Sequence, residues 1–219
     1  MSINDSGEIG IGIKNMKNIK IVNNLGKHIK VEMNKGIITV DWVREDRKLS
    51  DLSVGDVFMD SNCDEYIVCE QFNNGTTAVV RKALLDNKMK FGETNDWRDS
   101  DIRKYLNGEY LKELIEQFGE DNIVELKRDL ISLDGYDDYG KCQDKVSAMS
   151  IIEYMKYHKY IGNCDRWHYL LTPDSTPSSG CVSVIVQTVR SNGSVDFVWC
   201  GNTQGVRPFF ILKSSTCVY

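Results

Sequence analysis

Three apolar runs near the end of the chain, each bounded by turn chemistry, constrain the fold more than any other feature. Val182–Val189, Val195–Cys200 and Phe209–Leu212 are separated by Ser191-Asn192-Gly193-Ser194 and by a segment ending in Gly205-Val206-Arg207-Pro208. Short runs rich in β-branched and aromatic residues between such punctuation read as strands. Asn192-Gly193 is the strongest hairpin signal in the sequence, because both residues accept the positive φ that a tight turn needs. In the first run Val184, Val186 and Thr188 fall on one face and Ile185, Gln187 and Val189 on the other. Apolar side chains on both faces imply a strand covered on both sides. The expectation is an antiparallel meander of three or four strands on which the earlier segments pack.

Upstream, the signals alternate between β and α. Residues 1–48 carry short β-type runs at Ile9–Ile13, Ile19–Val22, His28–Met33 and Ile37–Val43, punctuated by Gly7, Gly10, Gly12, Gly26 and Gly36. Their apolar stripes are too thin for an independent core. They are expected to form a β-rich docking segment that packs on the main domain or on another chain. The main domain is assigned to residues 49–219. It opens with a three-stranded meander built from the strand after Leu52, Glu65–Gln71 and Thr76–Arg81, with Asn73-Asn74-Gly75 as a turn. Leu84–Gly92 reads as polar and irregular. A helix follows, capped by Asp99 or Ser100, with Ile102, Tyr105 and Leu106 on one face and a break at Asn107-Gly108. A second helical run, Glu109–Phe118, ends at Gly119 in the left-handed conformation. Residues 122–133 read as one or two short strands. Ser150 and Glu153 form a capping box that starts another helix.

Net charge is −5, from 27 basic and 32 acidic residues, with 41% hydrophobic residues. That balance argues against a dedicated nucleic-acid binder, which shows a basic stripe. No apolar run reaches the length that spans a bilayer, so no membrane insertion is expected. The N-terminus, Met-Ser-Ile-Asn-Asp-Ser-Gly, has neither a basic n-region nor an apolar h-region. Synthesis in the cytoplasm without a signal peptide is therefore expected. Seven cysteines (63, 69, 142, 164, 181, 200 and 217) without close CxxC pairs read as reduced, mostly buried thiols.

Four segments, in order, resemble a bacterial and phage-associated domain family of unassigned activity. Trp97, Ser100, Ile102, Arg103, Tyr105, Leu106 and Asn107 match its Trp-x-x-Ser-x-Ile-Arg-x-(aromatic)-Leu-Asn pattern. Lys145–Glu153 matches its helix start in part, and Arg166–Pro173 is a loose counterpart of its Trp-Trp-Leu-Arg-Ser-Pro strand. Gly205-Val206-Arg207-Pro208, followed by Phe209–Leu212, matches its last motif well. The family looks like a variant of the C-type lectin-like fold, also used by formylglycine-generating enzymes and by hypervariable display proteins of phages. The resemblance implies an α+β domain of twisted antiparallel sheets with two or three helices, and loops that present a binding surface. It implies a non-enzymatic module on a virion surface, as a capsid decoration, tail or baseplate component. Its partner would be another virion protein or a host surface ligand. A homo-oligomer is compatible. The alternative is a ligand- or carbohydrate-binding protein of the same fold, not attached to a virion.

The residues themselves set the candidate sites. Tyr136, Tyr139, Trp167 and Trp199, with the polar Asn202 and Gln204, are chosen as a recognition face, because Tyr and Trp give large contact area at low entropic cost. Trp97, Arg103 and Arg207 are read as structural: a large apolar plug and two guanidinium groups that tie loops. No catalytic residue, cofactor or metal is assigned. His158, Cys164 and His168 have poor zinc spacing. Cys200 and Cys217 do not match the copper-holding motif of the formylglycine enzymes. The acidic loop Asp134–Asp138 offers three carboxylates but lacks the EF-hand spacing; a solvated loop is favoured, with calcium left open.

Overall fold

A computed structural model describes residues 2–3, 9–10, 29–34, 37–42, 47–181 and 183–219; before residue 47 it is the backbone that is described. The chain divides into two units, residues 1–46 with Tyr219 and Arg47–Val218. In the first, β1 (Ser2–Ile3) pairs with β2 (Ile9–Gly10), and β3 (Ile29–Asn34) forms an antiparallel hairpin with β4 (Ile37–Trp42). The run expected at Ile19–Val22, with His28 and Val43, lies outside the described residues.

The second unit is α+β, with mostly antiparallel strands and three helices. It opens with β5 (Arg47–Lys48) and the expected meander of β6 (Val57–Met59), β7 (Glu65–Phe72) and β8 (Thr76–Arg81). Then come β9 (Met89–Lys90), α1 (Asp101–Tyr105), α2 (Leu111–Phe118), β10 (Ile123–Val124), β11 (Leu126–Asp129), β12 (Lys141–Asp144), β13 (Val146–Ser147) and α3 (Ile151–Ile161). β14 (His168–Pro173), β15 (Ile185–Val189), β16 (Val195–Trp199), β17 (Thr203–Gln204), β18 (Phe209–Lys213) and β19 (Cys217–Val218) complete it. β19 pairs with β5, so the two ends of the unit are zipped together, and the unit begins at Arg47 rather than at 49.

Two sheets dominate. One runs in the order β10-β18-β8-β7-β6, with β13 also on β18. The other is the antiparallel meander β14-β15-β16. The expected fourth strand of that meander, Phe209–Leu212, instead crosses to the larger sheet and pairs with β8 along its length. There Phe209 and Phe210, as neighbours on a strand, face opposite ways. Phe210 joins Phe58, Tyr66 and Phe118 of α2 in an aromatic cluster with centroids 5.4–6.4 Å apart. Phe209 stacks on Tyr157 of α3 at 6.2 Å. α3 also reaches the smaller sheet, where Tyr154 meets His168 at 6.5 Å. The other face of that sheet packs Tyr169 on Phe91.

α3 begins as expected. Ser150 accepts from the Glu153 N–H at 3.2 Å and Glu153 accepts from the Ser150 N–H at 2.7 Å. Glu153 also accepts from the buried Arg128. At the other end, Arg207 donates to the carbonyls of Ile161 and Gly162 at 2.7 and 3.1 Å, and to those of Arg81 and Lys82 at 3.0 and 3.1 Å. Gly205 lies beside it because a Cβ there would sit 2.9 Å from the Trp167 carbonyl, where the Gly205 N–H donates. The Trp97–Asn107 segment forms a second anchor. The fully buried Trp97 indole N–H donates to Asp144 at 2.7 Å, and Arg103 donates to the other oxygen of that carboxylate at 2.6 Å.

Three local expectations fail. The helix does not break at Asn107-Gly108; it passes through a π-type turn over Leu106–Tyr110. Asn107 donates to the Arg103 and Val146 carbonyls and accepts from the Lys145 and Val146 N–H groups, which holds β13 against that turn. Gly119 has φ +80 but ψ 141, extended rather than left-handed helical. Leu84, Leu85 and Phe91 are buried, and Met89–Lys90 pairs with β17, so the supposedly polar segment lines the core.

Removing the Asp144 carboxylate leaves the buried Trp97 indole N–H without its acceptor, while Arg103, 28% exposed, can turn to water; the cost is about 1–3 kcal/mol. Asp144→Ala is therefore expected to lower the unfolding free energy by about that amount in urea titration, while Lys82→Ala, in an exposed pair with Glu65, changes it by less than about 1 kcal/mol. Arg207→Lys keeps the charge, but one ammonium cannot span two pairs of carbonyls. It is expected to destabilise by about 1–3 kcal/mol in the same titration.

Candidate recognition face

The β15–β16 hairpin presents the most exposed aromatic row of the unit. Its turn is a three-residue loop in which the Gly193 N–H donates to the Arg190 carbonyl and the Arg190 N–H to the Ser194 carbonyl, both at 2.9 Å. Gly193 takes φ +85, whereas Asn192 stays at negative φ and uses its side-chain oxygen to accept from Ser194. The register sets Val195, Phe197 and Trp199 opposite Val189, Gln187 and Ile185, and His168 opposite Val189. All of them share the face on which α3 lies through Tyr154. Val189, Gln187 and His168 are buried, while Val195, Phe197 and Trp199 on the outermost strand are 39%, 57% and 57% exposed.

The free edge of β16 is partly blocked. The Arg190–Ser194 and Cys200–Val184 bonds put the inward pairs at even positions, so the backbone groups of Val195, Phe197 and Trp199 turn outward. The Phe197 N–H donates to the Asp196 carboxylate at 2.8 Å, and the Trp199 carbonyl accepts from the Asn202 N–H at 2.9 Å. The Phe197 amide, and after it Arg190, hold the Asp196 carboxyl below its usual range. Arg190 in turn lies over the Trp167 ring at 4.9 Å. With two of its six outward backbone groups engaged, the edge is a poorer template for strand addition, which favours contact through the side chains of the row.

The residues singled out in the sequence part company here. Trp199 stands on this face and is exposed; Asn202 is exposed in the turn after β16, where its carbonyl accepts from the Tyr169 hydroxyl of the opposite face. Tyr136 is 44% exposed on its own loop. Tyr139, three residues on, is buried, with its hydroxyl on Asn95 at 2.6 Å. Trp167 is half-buried beneath Arg190, and Gln204 pairs with Met89 in β17. Phe197 and Val195 were passed over. The signal was present in the alternation Val195, Phe197, Trp199 against Asp196, Val198, Cys200, once β16 is known to be an edge.

Residues 74–214 match the family model described as a domain of unknown function, DUF6273. The chain belongs to this family. No curated protein and no solved structure matches it. The DUF6273 region takes in the Trp97–Asp144–Arg103 anchor, Arg207 and the whole β15–β16 hairpin; β5, β6 and β7 precede it.

The reactive side chains of the DUF6273 unit are occupied or spread out. Among the described residues no group of three or more His, Cys, Asp or Glu is placed to hold a metal ion, and no helix is long and apolar enough to cross a membrane. In the acidic loop, Asp134 accepts from Ser132 at 2.5 Å and Asp138 from the Ser178 N–H at 2.7 Å. Three thiols are exposed, at Cys63, Cys181 and Cys217, against the expectation of mostly buried ones. Burial pushes the Cys200 thiol up to about 12, and burial together with Asp144 pushes Cys142 to about 11, which keeps both protonated.

His158 is exposed, with a ring nitrogen 2.9 Å from the Met155 carbonyl. His168 is 3% exposed, and burial, with the Arg207 guanidinium second, depresses it to about 3. The folded form holds this imidazole neutral, while the unfolded chain takes up a proton below about 6.5. Stability from this group is thus complete above pH 6.5 and falls as pH drops towards 3, by up to about 1.4 kcal/mol per unit. Urea titrations between pH 6.5 and about 5, above the range of carboxylates, are expected to show this slope. His168→Gln is expected to flatten it.

Proposed function

We propose that the protein is a non-enzymatic binding module whose Arg47–Val218 unit is a C-type lectin-like variant displayed on a phage or prophage particle. The observation that carries the reading is the row Val195, Phe197 and Trp199, exposed on a strand whose backbone edge is partly blocked. An exposed row of large apolar side chains on a rigid sheet is expected where a partner supplies the cover. The zipped ends β5 and β19 support display, since both exits of the unit lie together. The motif residues Trp97, Arg103 and Arg207 act as scaffold in this reading and leave the face free to vary. The partner of this row is a host surface ligand; the contact with another virion protein is made elsewhere on the chain.

A second reading, a carbohydrate- or ligand-binding protein not attached to a particle, is favoured by one feature. The exposed Trp199 indole and the exposed Asn202 amide stand within one turn of chain, an apolar platform beside a polar group.

Mass spectrometry of purified particles tests the first reading, with the protein expected among their components. In particles carrying Phe197→Ser with Trp199→Ser, incorporation and thermal stability are expected to be preserved, since exposed substitutions shift stability by about 0.5 kcal/mol or less. Binding to host cells is expected to fall at least about tenfold, the effect of losing an aromatic anchor. Absence from particles, or binding unaffected by both substitutions, sinks it.

A further inference from the structure

The connection between β11 and β12 carries a second exposed apolar cluster, apart from the β16 row. Ile131, Leu133 and Tyr136 are 46%, 52% and 44% exposed. The loop that bears them is fixed. The Ser132 N–H donates to the Tyr136 carbonyl at 2.9 Å, the Gly135 N–H to the Ser132 carbonyl at 3.0 Å and the Leu133 N–H to the Pro173 carbonyl at 2.9 Å. Tyr139, which is buried, ties the loop to Asn95, whose amide donates to the Ser175 and Ile185 carbonyls at 2.8 and 2.9 Å. The three side chains therefore stand on a preformed loop, which lowers the ordering cost of a contact.

The charge around the cluster has one sign. Residues 130–140 contain Asp134, Asp137 and Asp138 and no Lys or Arg; residues 174–184, to which they are tied, contain Asp174 and again no cation. Among the described residues none of these four carboxylates has an ion-pair partner. The neighbouring cations are already engaged, Lys141 by Asp129 and Arg98 by Asp96. Asp138 is exposed, yet its carboxylate is held in place. The Ser178 N–H donates to it at 2.7 Å, and the fully buried Thr176 reaches towards it with a hydroxyl that has no other hydrogen-bond partner. The Ser178 hydroxyl and N–H keep this carboxyl below its usual range, so it stays ionised.

We propose that this loop is a docking surface for a segment of another protein that carries Lys or Arg beside apolar side chains. Ile131, Leu133 and Tyr136 supply the apolar contact, and the exposed Tyr136 ring can take a cation over its face. Asp134, Asp137 and Asp138 supply the opposite charge around them, which selects the partner. An anionic partner, nucleic acid included, is repelled by the same three groups. A purely apolar one leaves carboxylates desolvated without a counter-charge. Only a partner that brings both chemistries together covers the whole patch.

Fluorescence anisotropy on the full chain tests this, with labelled peptides built of Leu-Lys-Lys, Ser-Lys-Lys or Leu-Glu-Glu repeats. The Leu-Lys-Lys peptide is expected to bind with a Kd of roughly 1–100 μM, at least about tenfold tighter than Ser-Lys-Lys. Leu-Glu-Glu is expected not to bind. Asp134→Asn with Asp137→Asn, and Leu133→Ser with Tyr136→Ser, are each expected to weaken binding at least about tenfold, with thermal midpoints unchanged. Two controls separate this patch from charge elsewhere and from the β16 row. Glu113→Gln with Glu116→Gln removes the same charge from exposed positions of α2, and Phe197→Ser with Trp199→Ser removes the row. Both are expected to bind like the parent. A parent that does not distinguish Leu-Lys-Lys from Ser-Lys-Lys overturns the proposal. So does binding that survives both pairs of loop substitutions or is lost with either control. Displacement by calcium chloride, where sodium chloride of equal ionic strength has no effect, overturns it too and assigns the carboxylates to a metal.

Discussion

A guanidinium buried without a carboxylate on any of its hydrogen bonds holds the main unit together. Arg207 is 3% exposed and donates to four backbone carbonyls. Two belong to the end of α3, where the orphan carbonyls and the negative end of the helix dipole lie. The other two belong to the last residue of β8 and the residue after it. One side chain thereby neutralises a helix terminus and ties it to the central strand pair β8–β18. A buried cation is costly unless its donors are all used, and the planar guanidinium can use several at once without a counter-ion. The opposite end of α3 is fixed by Arg128 through Glu153, the residue that also completes the capping box. α3 is thus pinned at both ends between two sheets, and Tyr154 and Tyr157 each commit to a different one.

The exposed row follows from that placement. α3 lies against β14, and the buried side chains of β15 complete the covered part of the sheet face. β16 is one strand further out, so its side chains on the same face remain in solvent. Trp97, Asp144 and Arg103 fix the opposite side of the fold, where Phe91 packs under Tyr169. The sheet is rigid on its inner face and bare at one margin of its outer face. That is the arrangement a binding surface needs: side chains pre-positioned by a scaffold that does not depend on what they touch.

Local chemistry was legible in the sequence, and long-range pairing was not. Asn73-Asn74-Gly75, Ser150 with Glu153 and Ser191–Ser194 each specify their turn or cap within four residues, and each forms where expected. Phe209–Leu212 looks like any strand of a meander; which sheet it joins is decided by β8, about 130 residues earlier. The π-type turn at Asn107 depends on Val146, 39 residues away. Tyr136 and Tyr139 share one loop and one residue type. Asn95, 44 residues upstream, takes the second into the core and leaves the first outside. Leu84, Leu85 and Phe91 are hidden among polar neighbours and show no period, yet all three are buried. Periodicity reports a face only where the element is long enough to have one.

The partial blocking of the β16 edge bears on how such a face can be specific. Strand addition reads backbone groups, which every sequence offers, and so discriminates poorly without side-chain pockets. Here the outward N–H of Phe197 is taken by Asp196 and the outward carbonyl of Trp199 by Asn202. Arg190, stacked on Trp167, holds Asp196 in place. Backbone pairing with a stray strand would first have to break that set. What remains for contact is the chemical identity of positions 195, 197 and 199, none of which is needed to keep the hairpin in register. On the proposed reading, a partner that prefers this chain over another of the same fold does so through those side chains and the loops beside them.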